Sequence, residues 1–172
     1  IIIFPRLFFV FIFPENGGDY EIYTTVAKNI LNGCGVSLSD PQTKQCIPHF
    51  GGNHGPGYPL FIAIVWSLFN NSDYAVKILQ TILYGISCVY LMKSIYKLTN
   101  TKNITIIIGL TLALSPLLIA WPRYLQTETL SLAASIYLIA EIIFSLSNKK
   151  IKILSISLAL ILATWIRLDN IF

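Results

Sequence analysis

The chain has 172 residues, of which 55% are hydrophobic and only 12% charged, with a mean hydropathy of +0.68. Soluble domains carry roughly a quarter charged residues, so the composition excludes a water-soluble globule and indicates an integral membrane protein. The net charge of +4 is no sign of nucleic-acid binding, because the lysines cluster beside apolar runs, where they report orientation in the bilayer.

In chain order, residues 1–13 form an apolar run that is too short to cross alone, since about 20 residues are needed. No small-residue cleavage site follows, so the run reads as a truncated first span rather than a signal peptide. Arg6 within it must reach the membrane surface or face the protein interior. The chain as a whole reads as the N-terminal part of a longer protein. Next comes Pro14-Glu15-Asn16-Gly17-Gly18-Asp19-Tyr20-Glu21-Ile22-Tyr23. Here Gly17 and Gly18 permit a sharp turn. Asp19 then stands at the mouth of a predicted amphipathic helix over 19–32, where the dipole favours a carboxylate. Ile22, Val26 and Ile30 mark its apolar face, Lys28, Asn29 and Asn32 fall on other faces, and Gly33 caps it. It is expected to lie along the membrane surface.

Residues 35–57 form a polar loop rich in Gly and Pro, of a length usually tied to function. Cys34 and Cys46 could bridge in an oxidising compartment. His49 and His54, with Cys46 or Asp40, match no closed zinc spacing, so no metal or other cofactor is expected. Asn70-Asn71-Ser72 and Asn103-Ile104-Thr105 fit the glycosylation acceptor pattern. Residues 58–69 predict a short apolar helix that does not cross. Four spans follow at about 74–98, 104–121 (kinked at Ser115-Pro116), 126–146 and 151–172, with Cys88 packed inside the first of them.

Lys93, Lys97 and Lys102 flank one loop, and Lys149, Lys150 and Lys152 another, which makes both cytoplasmic. The outer loop is then 14–73. Asp19, His54, Tyr58, Arg123, Glu128 and Arg167 fall near the outer surface, and Glu141 is the one acid placed elsewhere. Ionisable groups at span ends are functional candidates. A carboxylate can take a proton from a hydroxyl, arginines can hold a phosphate, and Tyr20, Tyr23 and Tyr58 suit sugar rings or interfacial anchoring. The set suits attack on a lipid-linked phosphosugar. Duller accounts stand beside it: Asp19 and Glu128 as helix caps, Arg167 paired with Asp169, Arg123 as an anchor, and Tyr58, Trp66 and Trp121 as interfacial aromatics. For the tryptophans the interfacial account is preferred.

Gly18-Asp19-Tyr20-Glu21-Ile22-Tyr23, with Ala27-Lys28-Asn29-Ile30-Leu31-Asn32-Gly33, resembles the first outer loop of polyprenyl-phosphate-sugar-dependent glycosyltransferases of the GT-C fold. These include protein O-mannosyltransferases and lipid A or lipopolysaccharide sugar transferases. His54-Gly55-Pro56-Gly57-Tyr58-Pro59 is similar to the group's His/Lys-Pro-Pro-x-Tyr segment. Leu114-Ser115-Pro116 with Thr127-Glu128 resembles its Ser-Pro helix and second outer acid, and Thr164-Trp165-Ile166-Arg167 its Thr-Arg-Pro segment. Gly55 stands where the group has the first proline, and Leu168 where it has the last.

The resemblance implies an all-α membrane bundle in the plasma or inner membrane, with juxtamembrane helices in the outer loop. It implies inverting transfer on the non-cytoplasmic side from a polyprenyl-phosphate sugar to a lipid, glycan or protein hydroxyl. Asp19 would be the base, His54 and Arg167 would contact the donor phosphate, and Glu128 would help form the pocket. The rival readings are a non-catalytic transporter or assembly module, whose broken helices should meet at the midplane, and a metal-dependent oligosaccharyltransferase relative.

Overall fold

The computed structural model describes residues 2–13, 16–39, 45–48, 55–148 and 153–166. Eight α-helices are present among them: α1 (Phe4–Ile12), α2 (Tyr20–Leu31), α3 (Gly57–Leu68), α4 (Asp73–Thr99), α5 (Lys102–Leu114), α6 (Pro116–Ala120), α7 (Thr127–Ser147) and α8 (Ile153–Ile166). A 3-10 turn, Trp121–Arg123, links α6 to α7.

Helices α4 and α7 are each long and apolar enough to cross a membrane. The pair α5 and α6, bent by 54°, makes a third crossing if counted as one span. The two long helices run parallel as the central pair. Val76 and Leu130, near their starts, share one core cluster, whereas Leu91, Ile95 and Ala140 share a second. At the far end Lys97 donates to the Asn148 side chain and lies 4.6 Å from the Phe144 ring. The two stretches that precede the lysine-flanked loops therefore lie at one end of the bundle. Ile86, Ile107, Leu117 and Leu162 are among the large apolar side chains left exposed, as expected of surfaces that face lipid.

The kink predicted at Ser115-Pro116 is a full break. Proline has no N–H, so the Leu112 carbonyl loses its partner four residues on, and the ring disrupts the next bond. Ser115 is extended (φ −61°, ψ 118°), as the residue before a proline prefers. Arg6 takes up the freed acceptors. Its guanidinium donates to the Leu112 carbonyl at 2.5 Å and the Ala113 carbonyl at 3.4 Å. It also donates to the Tyr84 hydroxyl at 3.3 Å and lies 4.4 Å from that ring. Arg6 is fully buried, so of the two placements open to it the interior one is realised.

At the opposite end from the lysines, α2 and α3 pack across the starts of α4 and α7. At 1.5 Å per residue the 12 residues of α3 extend about 18 Å, short of the roughly 30 Å hydrocarbon thickness. Gly57, at its start, meets Trp165 and Ile166 at the end of α8, and Trp66, near its end, bonds Asp73 at the start of α4. Both ends of α3 thus lie at the same end of the bundle.

Helix α2 ends as Gly33 foretold: Gly33 has φ +81°, its N–H bonds the Ile30 carbonyl (3.2 Å), and the Cys34 N–H bonds the Asn29 carbonyl (2.8 Å). This double bond satisfies carbonyls left over at the helix terminus. Asn29, expected on a solvent face, is buried instead, because its side-chain amide donates to the Ser37 carbonyl at 2.9 Å. The polar loop contains a short antiparallel hairpin that the sequence reading lacks. In it β1 (Ser37–Ser39) pairs with β2 (Cys46–Pro48), Leu38 facing Ile47. A Cys34–Cys46 disulfide closes it, with the Cα atoms 5.8 Å apart. Cys88 is a free thiol, buried in the second core cluster.

Replacing Arg6 by Met is expected to destabilise the detergent-purified protein by about 2–4 kcal/mol, since buried carbonyls left unpaired cost about 1–3 kcal/mol each. In a Pro116→Ala background, where the helix can satisfy its own carbonyls, the same change should cost at least 1 kcal/mol less. Thermal unfolding of the four proteins, read as a double-mutant cycle, checks this. An equal loss in both backgrounds would show that Arg6 does not serve the proline break.

Candidate functional site

The candidate residues that the structure describes gather at the α2–α3 end of the bundle. Asp19 occupies the N-cap position of α2, but its side chain makes no capping bond; only its backbone carbonyl enters the helix, accepting from the Tyr23 N–H at 3.1 Å. The cap account of Asp19 is not realised by its carboxylate, which is half-buried. Gly17 and Gly18 make the expected turn, closed by the Tyr20 N–H on the Gly17 carbonyl at 3.0 Å, without left-handed backbone at either glycine. Gly17 lies against the Gln126 side chain: a Cβ there would stand 2.2 Å from it, so a larger residue would make that side chain move. That contact brings the chain before Asp19 against the segment that leads to Glu128.

The three tyrosines differ. Tyr20 donates from its hydroxyl to Asp73 Oδ2 at 2.7 Å. Burial first, and then the Asp73 carboxylate, raise its pKa to about 12. Tyr23 is buried, with its ring edge-on to Tyr58 at 5.1 Å. Tyr58 is wholly enclosed, and its hydroxyl donates to Gln80 Oε1 at 3.1 Å. Its pKa is pushed well up by burial, then by the nearby Tyr23, Glu128 and Asp73. Tyr20 and Tyr58 are therefore neutral hydroxyls at ordinary pH, able to donate but not to act as bases. The interfacial account of Tyr58 and Trp66 is corrected. Tyr58 is 0% and Trp66 4% exposed, and the Trp66 indole N–H donates to Asp73 Oδ1 at 3.2 Å. An indole or phenol with an internal acceptor has no need of the bilayer surface. Trp121 is half-buried, 5.9 Å from the Tyr124 ring.

Arg123 lies in the 3-10 turn, half-buried, where its guanidinium donates to the Tyr124 hydroxyl and lies 4.5 Å from that ring. Glu128 is half-buried in the first turn of α7, where the helix dipole favours a carboxylate. It lies close enough to Tyr58 to raise that hydroxyl's pKa. His54 and Arg167 lie outside the described residues. Their neighbours do meet: a Cβ on Gly55 would stand 2.5 Å, and one on Gly57 2.6 Å, from the Trp165 carbonyl oxygen. Only glycine allows that approach of backbone to backbone.

Two residues that organise the site were missed. Asp73 joins α2, α3 and α4 by accepting from Tyr20 and Trp66 together. Gln80 is fully buried. Its amide nitrogen donates to the Pro122 carbonyl (3.2 Å) and the Tyr124 carbonyl (3.0 Å), and its oxygen accepts from Tyr58. It thereby grips the chain on both sides of Arg123. The available signals were Ser72-Asp73, a cap residue followed by an acid at a helix start, and a glutamine inside an apolar span.

An apolar cavity of about 510 Å3 adjoins the site. It lies between α3, α4, α7 and α8, lined by Phe61, Leu83, Leu130 and Leu162, and it reaches Gly57, Trp165 and Ile166. Among the described residues no group of three or more His, Cys, Asp and Glu side chains could hold a metal ion; His49, His54 and Asp40 lie outside them.

Residues 53–167, more than half of the chain, match the family described as dolichyl-phosphate-mannose-protein mannosyltransferase. The matched stretch contains His54, Tyr58, Arg123, Glu128 and Arg167 and begins after Asp19. No curated protein and no solved structure matches the chain.

Changing Gln80 to Leu should leave two carbonyls and one hydroxyl unpaired. The expected cost is about 2–4 kcal/mol, with the backbone around Arg123 loosened. Hydrogen exchange at residues 121–126 reports the second effect. Unchanged protection there would separate Gln80 from the placing of Arg123.

Proposed function

Since the chain belongs to the dolichyl-phosphate-mannose-protein mannosyltransferase family, an integral membrane family of GT-C type whose members are polyprenyl-phosphate-sugar-dependent glycosyltransferases, we propose that it carries the acceptor-activating and donor-binding face of a hexosyltransferase working at the non-cytoplasmic surface. The observation that carries the reading is the meeting of polar and apolar parts. The segment of Asp19, the Tyr23–Tyr58 pair, Arg123 and Glu128 all stand at the end of the bundle where the apolar cavity reaches Gly57 and Ile166. A lipid-linked sugar needs that junction, with its polyprenyl tail among aliphatic side chains and its phosphate and sugar at the polar end.

In this mechanism the Asp19 carboxylate takes the proton from the acceptor hydroxyl. The freed oxygen attacks the anomeric carbon from the side opposite the phosphate, so the configuration inverts. The bond from the anomeric carbon to the phosphate oxygen breaks, and polyprenyl phosphate leaves with the electron pair. Arg123, with His54 and Arg167, meets the negative charge gathering on that phosphate. Glu128 receives hydroxyls of the sugar or acceptor. Tyr20 and Tyr23 form the wall beside Asp19, and Tyr58 supports that wall through Gln80. No metal or other cofactor takes part in these steps. The Cys34–Cys46 disulfide favours an oxidising outer compartment.

Changing Asp19 to Asn in the full-length protein should lower sugar transfer from a defined donor lipid at least about 100-fold, with membrane insertion and thermal midpoint unchanged. Activity within twofold of the wild type would overturn the role of Asp19. Sidedness can be read by thiol labelling of intact vesicles, because of the three cysteines two are bridged and Cys88 is buried. Asp19→Cys and Lys102→Cys should label from opposite faces. Labelling of both from one face would overturn the placement of the site.

A further inference from the structure

A second cavity, of about 610 Å3, lies in the other half of the bundle and has a different character. Its walls include Val89, Tyr90 and Lys93 of α4, Tyr137 and Glu141 of α7, and Ser155 of α8. It takes no part in the transfer reaction proposed above.

Glu141 is 2% exposed, and its Oε2 accepts from the Tyr90 hydroxyl. A carboxylate at this depth in an apolar span is costly, and such groups mark binding sites or ion paths. The Tyr90 and Tyr137 rings pack on each other, centroids 5.4 Å apart and tilted by 31°, and line the cavity together with the carboxylate. A carboxylate with aromatic faces around it selects a cationic nitrogen, through charge-assisted hydrogen bonds and attraction to the ring faces. Lys93 lies three residues beyond Tyr90, close to one helical turn, and is exposed, so a positive group stands on the same cavity toward the lysine-bearing end. Val89 is 46% and Ile86 57% exposed beside it, which gives an apolar surface running away from the polar groups. The carboxylate thus stands at the level of Tyr90, with Tyr137 one turn to one side and Lys93 about one turn to the other, and aliphatic surface alongside.

We propose that this cavity binds the headgroup of a zwitterionic aminophospholipid. The primary ammonium lies against Glu141, beside the packed Tyr90–Tyr137 ring pair. The phosphate lies toward Lys93, and the acyl chains follow Ile86 and Val89. A primary ammonium donates hydrogen bonds to the carboxylate, whereas a quaternary ammonium cannot, and an anionic glycerol headgroup offers Glu141 no cation.

The test is native mass spectrometry of the full-length protein released from membranes of equal parts phosphatidylethanolamine, phosphatidylcholine and phosphatidylglycerol. Phosphatidylethanolamine should be retained in clear excess. Glu141→Gln should lower that retention about tenfold, the scale of one charge-assisted hydrogen bond, and leave phosphatidylglycerol unchanged. Tyr137→Leu and Lys93→Gln should each lower it several-fold, and they carry the test if the Glu141 variant fails to fold. Equal retention of the three lipids, or retention unmoved by the substitutions in folded protein, would overturn the proposal. Soluble phosphoethanolamine is expected not to displace the lipid at equal concentration; displacement would identify a water-soluble ligand and overturn the lipid assignment. Loss of lipid selectivity with transfer activity intact would leave the reading of the active site standing, so the two proposals fail separately.

Discussion

A proline in a membrane helix exposes backbone carbonyls where no water can reach them, and the rest of this structure depends on how those carbonyls are satisfied. Arg6 does it from another helix, reaching the Leu112 and Ala113 carbonyls and stacking on Tyr84. A buried guanidinium is costly by itself. So is an unpaired carbonyl in hydrocarbon, and each removes much of the other's penalty. The bond therefore fixes α1 against α4 and the proline break at once. With the break held, α6 and the 3-10 turn can bend by 54° and carry Arg123 to the end of the bundle where Asp19 begins α2.

From that bend onward the site is assembled by a few polar groups that each serve several elements. Gln80 holds the turn around Arg123 and the hydroxyl of Tyr58. Asp73 holds α2 through Tyr20 and α3 through Trp66. Each is buried or half-buried and fully employed in holding neighbours. Asp19 differs, because its carboxylate is not spent on capping its own helix. The site thus separates into carboxylates and amides that build and a carboxylate that remains at the surface of the assembly.

Periodicity and punctuation made the helices legible. Gly33 marked the end of α2, Ser115-Pro116 marked the break, and the lysines marked one end of the bundle, because each acts through its own local chemistry. The gathering of Asp19, Tyr58, Arg123 and Glu128 at one end followed from counting helices between them. The partner of Arg6 could not be read, since 106 residues separate it from Leu112 and nothing local points across that gap. Gln80 and Asp73 each carried a local signal, but their partners at Tyr124 and Tyr20, 44 and 53 residues away, did not. Trp66 was misjudged because an indole with an internal acceptor looks, in sequence, like an indole at the lipid headgroups. The hairpin escaped because strands of three residues leave almost no alternation to detect.

The parallel pairing of α4 and α7 bears on how the protein is made. Helices next to each other in sequence normally run antiparallel and can join as soon as the second emerges. Here the main partner of α4 comes only after α5, α6 and the turn have been synthesised. In the meantime α4 carries the Gln80 amide into the bilayer before the Pro122 and Tyr124 carbonyls that accept from it have been made. The insertion machinery must shelter it over that interval, so the order of translation, and not only the final packing, limits how this bundle can be assembled.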